Sequence, residues 1–144
     1  MPATIPATSL APSTPNARTV VALILGIVVA VLANSLIALA AIAAGASSGF
    51  SPLAIYVYGP FTVIGLLAAY VGWRVVRRRA LRPAAALRVL VPVVTVLSFA
   101  PDTILALTRF IPGTSLTAVA GLALMHLVVV AVAVPMSARL APVW

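Results

Sequence analysis

From Thr19 to Pro135 the chain is almost continuously apolar, broken by short polar or arginine-rich gaps. A helix that crosses lipid needs about 20 largely apolar residues, and on that measure the chain divides into four spans, at about 20–44, 54–76, 84–107 and 116–134. The first ends in an uncharged turn, Gly45-Ala46-Ser47-Ser48-Gly49. The second opens on Tyr56, Tyr58 and Phe61 and closes at Trp73, as aromatic belts at two interfaces would require. Its Gly59-Pro60 pair predicts a helix that starts at Pro60, where the missing N–H costs nothing. Pro92, Pro101 and Asp102 interrupt the third span. Either it kinks or, the reading preferred here, it ends near Ala100 and a short interfacial helix follows. Ile111-Pro112-Gly113-Thr114 reads as a turn, and the fourth span stops at Pro135.

The pattern predicts an all-α membrane protein, a four-helix transmembrane bundle over residues 19–139 with a short tail at 140–144. Residues 1–18 carry Pro2, Pro6, Pro12 and Pro15 among Ala, Ser and Thr. Such a segment buries too little apolar surface to offset its ordering entropy, so it reads as a disordered tail. A cleaved signal is the competing reading, with Ala41, Ala43 and Gly45 as the small residues of a cleavage site. The first apolar run is longer than the 7–15 residues or so of a signal core.

Composition agrees. The chain is 64% apolar and 7% charged, with a mean hydropathy of +1.26, against about 25% charged residues in soluble domains. Arginine without lysine, beside heavy alanine, valine and proline, is the usage of a GC-rich bacterial genome. The net charge of +8 does not point to nucleic acid, because the arginines sit at span ends, where topology accounts for them. Arg74, Arg77, Arg78, Arg79, Arg82 and Arg88 crowd the gap between spans two and three. With both termini cytoplasmic, only Arg109 of nine arginines falls outside. That orientation predicts a multi-pass protein of the inner, or plasma, membrane whose arginines meet anionic headgroups.

Helices in lipid gain nothing from hydrophobicity when they associate, so small residues and polar contacts decide which faces meet. Gly26, Ala30, Asn34 and Ala38 recur at every fourth position on span one. Gly65, Ala69 and Gly72 share a face on span two. The two stripes are expected to pack on each other or on a neighbouring subunit. At membrane depth the candidates for chemistry are Asn34, Thr95, Ser98, Asp102 and His126. Thr95, Ser98 and Asp102 share a face if the third span stays helical, and Asn34, Ser98 and His126 are expected to meet at similar depth. An ionisable residue inside a bilayer is a functional hypothesis by default. The plain alternatives are a structural hydrogen bond from His126 to Asn34 or Ser98, and an Asp102 that caps a helix or pairs with Arg109.

Catalysis is weakly served. Ser98, His126 and Asp102 are the residue types of a triad, but no strained nucleophile motif surrounds Ser98. One histidine and one acid, with no cysteine, fall short of a four-ligand metal sphere, and no glycine loop cradles phosphate. No cofactor is expected.

At Leu97-Ser98-Phe99-Ala100-Pro101-Asp102 and Leu124-Met125-His126-Leu127 the chain resembles the small four-span membrane proteins of actinobacteria grouped as a domain of unknown function. The resemblance covers roughly Arg18 to Arg139 and implies a four-span membrane protein. It carries no activity and no site residues.

The expectation is therefore a membrane subunit or scaffold that packs against copies of itself or another membrane protein. The alternative is a transporter or channel component with a polar path around His126, Asn34 and Ser98/Asp102. A membrane-embedded enzyme ranks behind both.

Overall fold

A computed structural model describes residues 16–143 of the chain. Most of the proline-rich segment lies outside the described residues, and Arg18 already belongs to a helix. The elements are α1 (Ala17–Ala43), α2 (Ile55–Arg79), α3 (Pro83–Ser98), α4 (Ala100–Thr108) and α5 (Leu116–Leu140), with one 3₁₀ turn at Ser51–Leu53. Among the described residues there is no strand. Ala17–Ala43, Ile55–Arg79, Pro83–Thr108 and Leu116–Leu140 are each long and apolar enough to cross a bilayer. The protein is an all-helical, multi-pass membrane protein.

Local chemistry sets the helix ends. Asn16 caps α1, its side chain accepting from the Arg18 N–H at 2.7 Å. At the other end the chain turns left-handed at Gly45, φ +97°. The Ala46 N–H then donates to the Ala41 carbonyl and the Gly45 N–H to Ile42. This is the Schellman closure, with Ala46 and Ala41 both buried as its apolar contact. Ser115 caps α5 through the Ala118 N–H.

Two expected boundaries move. Helix α2 starts at Ile55 and contains Pro60, and α5 runs through Pro135 to Leu140. A proline inside a helix removes one ladder bond, to the carbonyl four residues back. At Pro60 that bond falls in the first turns. At Pro135 it falls near the end, where packing of Met136, Ser137 and Ala138 continues the helix. The third span does break. Pro101 cannot donate to Leu97, so α3 stops at Ser98 and α4 begins at Ala100, with Phe99 between them.

Helix α5 touches every other long helix. It runs antiparallel to α1, with Gly26 against Val132 and Met136, and Gly121 against Ile37 and Ala41. The start of α1 and the end of α5 therefore lie at one end of the bundle, called here the terminal end, and the α1–α2 and α4–α5 connections at the other, the loop end. There the two loops meet: a Cβ on Gly113 would lie 3.2 Å from the Ser47 Cβ, and Phe50 is buried beneath them.

The small-residue stripes do not pack on each other as expected. On α1 the face of Gly26, Ala30 and Ala38 is taken up mainly by α5, with Leu66 of α2 joining at Gly26. Gly65 lies against Val129 of α5, but Ala69 and Gly72 are exposed, with open space around Gly72. Helix α5 carries its own small residues, Gly121 and Ala133, and so reaches α1 most closely. The aromatic belt is also only partial. Tyr56 and Phe61 face outward, whereas Tyr58 and Trp73 are buried, and the Trp73 Nε1–H donates to the Ala141 carbonyl at 2.8 Å. A buried indole takes its partner from the protein rather than from the headgroups.

Candidate functional site

Helix α4 is nine residues long, too short to hold itself together in isolation. It docks through the two side chains it buries, Leu105 and Asp102. Leu105 enters the apolar cluster at the loop end with Ala38, Phe50, Tyr58 and Met125. Asp102 turns to α5, where its Oδ2 lies 3.2 Å from His126 Nδ1. Phe99, at the α3–α4 break, sets its ring edge-on to the imidazole with centroids 6.0 Å apart.

The contact is close but not a directed hydrogen bond. His126 Nδ1 lies 3.0 Å from the Leu122 carbonyl of its own helix, and Asp102 Oδ2 is buried without a hydrogen-bond partner. Both neighbours of Nδ1 are acceptors, which assigns the ring proton to that nitrogen. Nδ1 therefore bonds to the Leu122 carbonyl and stands within ion-pair distance of the Asp102 carboxyl without a hydrogen bond to it. Its side chain remains 35% exposed, while that of Asp102 is 9% exposed.

The other candidates do not join this pair. Asn34 and His126 lie at similar depth by the register of α1 against α5, but they face different helices. Asn34 is 1% exposed and its Nδ2 donates to Thr62 Oγ1 of α2 at 2.8 Å. Thr62 in turn donates to the Tyr58 carbonyl, and the Tyr58 hydroxyl meets Ser35 Oγ at 2.8 Å. The expected meeting of Asn34, Ser98 and His126 is therefore corrected: α2 stands closer to Asn34 and supplies a hydroxyl. Thr95 and Ser98 bond back to the Val91 and Thr95 carbonyls of their own helix. Ser98 is thus not oriented toward His126 as a nucleophile would be. Asp102 does not cap α4 and makes no ion pair with Arg109 among the described residues, because His126 claims its carboxyl.

Sequence reasoning missed Thr62, Tyr58 and Ser137. Thr62 was legible as the one serine or threonine inside span two. Ser137, 1% exposed with an unpartnered Oγ, carried no signal beyond being polar. At the terminal end stand Arg18, Arg74, Arg77, Arg78, Arg79, Arg82, Arg88 and Arg139, largely exposed. Arg74 places its guanidinium 5.8 Å from the centre of the Tyr70 ring. Arg109, at the loop end, closes α4 in a left-handed turn.

No curated protein and no solved structure matches the chain. A family model does match, over residues 14–142. The segments 97–102 and 124–127, on which the resemblance rests, are the two that bring Asp102 to His126. The chain belongs to the Family of unknown function DUF6069.

Proposed function

We propose that this protein is a small integral membrane subunit that acts through helix packing, with copies of itself or with another membrane protein. The observation that carries the proposal is the face of α2. Gly65 is used against α5, while Ala69 and Gly72 continue the same line uncovered, with nothing near a Cβ on Gly72. Small residues let helix backbones approach closely in lipid. The arginine end fits a cytoplasmic leaflet rich in anionic headgroups, which puts both termini inside at the cell membrane. Thr62, Thr95 and Ser98 spend their hydroxyl hydrogens on backbone carbonyls and Asn34 donates its amide to Thr62.

The test is particle mass in nanodiscs after purification from native membranes, with mass spectrometry of whatever co-purifies. A mass above the monomer, or a stoichiometric companion, that is lost in Gly72→Leu or Ala69→Leu supports the reading. A bare monomer before and after substitution refutes it.

One observation favours transport as a second reading, the ionisable pair Asp102–His126 set between two segments apolar enough to cross a membrane. It requires pH-dependent flux in liposomes that is lost in His126→Ala. The pair would have to serve without Asn34, which is committed to Thr62.

A further inference from the structure

The chain has one acidic side chain and one histidine, and folding places them 3.2 Å apart inside the span region. We propose that Asp102 and His126 form a proton-binding site in the apolar layer, which holds one proton between them and thereby docks α4 on α5. The inference stands apart from the subunit reading, which concerns the far face of α2.

Three observations support it. First, Nδ1 faces two acceptors and so keeps its hydrogen, which leaves Nε2 of His126 and the carboxyl of Asp102 as the places where a proton comes and goes. Second, Asp102 Oδ2 is buried and unpartnered. A bare carboxylate in an apolar setting is costly unless it is protonated or faces a cation. A proton on Nε2 makes an imidazolium beside the carboxylate. A proton on the carboxyl makes two neutral groups. Both leave the pair without net charge. Third, α4 is tethered at the Phe99 break and buries only Leu105 besides Asp102, so the pair is a large share of what docks it.

Among the described residues no other charge competes at the site. Helix α3 brings the hydroxyls of Thr95 and Ser98, both bonded to their own backbone, and its Arg88 is exposed toward the terminal end. Helix α2 brings Tyr58, held by Ser35. Helix α4 ends in Arg109, exposed and outside ion-pair reach of Asp102, and Arg139 stands at the far end of α5. Loss of the proton leaves one negative charge beside a neutral ring. A second proton leaves one positive charge. Docking is therefore tightest with one proton on the pair and weakens with none or with two.

The sole histidine makes the site readable in the full chain. In nanodiscs, the nitrogen spectrum of isotope-labelled histidine is recorded from about pH 5 to 8, the range that brackets an ordinary imidazole. The expected result is a ring that keeps a hydrogen on Nδ1 throughout, with a spectrum whose pH response changes in Asp102→Asn. Because the chain has no cysteine, spin labels at Leu107→Cys and Leu124→Cys, both exposed, report the α4–α5 distance. The distance distribution should broaden on the alkaline side and lose that response in Asp102→Asn and in His126→Gln. A neutral ring protonated on Nε2, a spectrum whose pH response is indifferent to Asp102→Asn, or a label response that survives both substitutions overturns the proposal. So does an unsubstituted pair whose label distances ignore pH.

Discussion

Asn34 of α1 and Thr62 of α2 hold each other in the driest part of the bundle, amide nitrogen to hydroxyl oxygen at 2.8 Å. The bond has a direction. Thr62 spends its hydrogen on the Tyr58 carbonyl at 2.8 Å, so it accepts from Asn34 and cannot also donate to it. That leaves Asn34 Oδ1 buried and unpartnered.

This asymmetry predicts an order of mutational effects. Thr62→Val keeps the shape but strands the Asn34 N–H₂ as well as its carbonyl. Interhelical bonds in membranes contribute about 0.6 kcal/mol on average and up to about 1.7, and an orphaned buried group costs about 1–3. A loss of about 1–2 kcal/mol is expected. Asn34→Leu removes donor and orphan together and should cost less. Reversible unfolding in bicelles titrated with a denaturing detergent measures both, and the opposite order would show that the bond is incidental.

Glycines on the α1–α5 interface should differ according to what they touch. A Cβ on Gly26 would lie 2.7 Å from Met136 Sδ, the far end of a flexible chain. On Gly121 it would meet the Ala41 Cβ at 3.0 Å, which has no rotamer to escape into. Overpacking costs about 1–3 kcal/mol. Gly121→Val should fall in that range, Gly26→Ala below it, and Gly72→Ala near zero for the monomer. The same unfolding assay decides, and a destabilised Gly72→Ala monomer would contradict the open space seen around it.

The turn after α1 offers a backbone test free of packing. Gly45 has φ +97° and nothing within 4 Å of an added Cβ. Gly45→Ala should therefore act through conformation alone, at about 1–2 kcal/mol for forcing an L-residue left-handed. Gly49→Ala, in ordinary contact with Ser47 Oγ at 3.6 Å, is the control and should be close to neutral.

The tie from Trp73 Nε1 to the Ala141 carbonyl joins α2 to the end of α5. Trp73→Phe keeps an aromatic ring and removes that donor. Amide exchange should accelerate over the last turn of α5 and leave the residues around Ala133 protected. Uniform acceleration along α5 would mean that the indole supports the whole helix rather than its end.

Span number and the interruption near Pro101 were legible because lipid demands length and proline removes a donor, and both can be read from residue types. The facing of each helix was not. In a soluble helix the polar stripe marks the outside. Here lipid and interior are equally apolar, so Ala69 and Gly72 looked as ready for packing as Ala30 and Ala38. The same ambiguity hid Tyr58 and Trp73, which resemble belt residues by position yet are buried. At the candidate site, residue types alone marked Asp102 and His126 as exceptional. Their contact required the α3–α4 break and the rotation of α5, and Asn34 was assigned to the wrong neighbour for want of that rotation.

Helix α5, the surface on which the other long helices converge, is also the last of them to be synthesised. While the ribosome is still working, α1 to α4 can enter the bilayer, but Ile37 and Ala41 have no Gly121 to meet and Asp102 has no imidazole beside it. Synthesis therefore passes through a stage in which the chain's one carboxylate side chain lacks the group that faces it in the finished fold. A chain cut before Leu116 would be held at that stage.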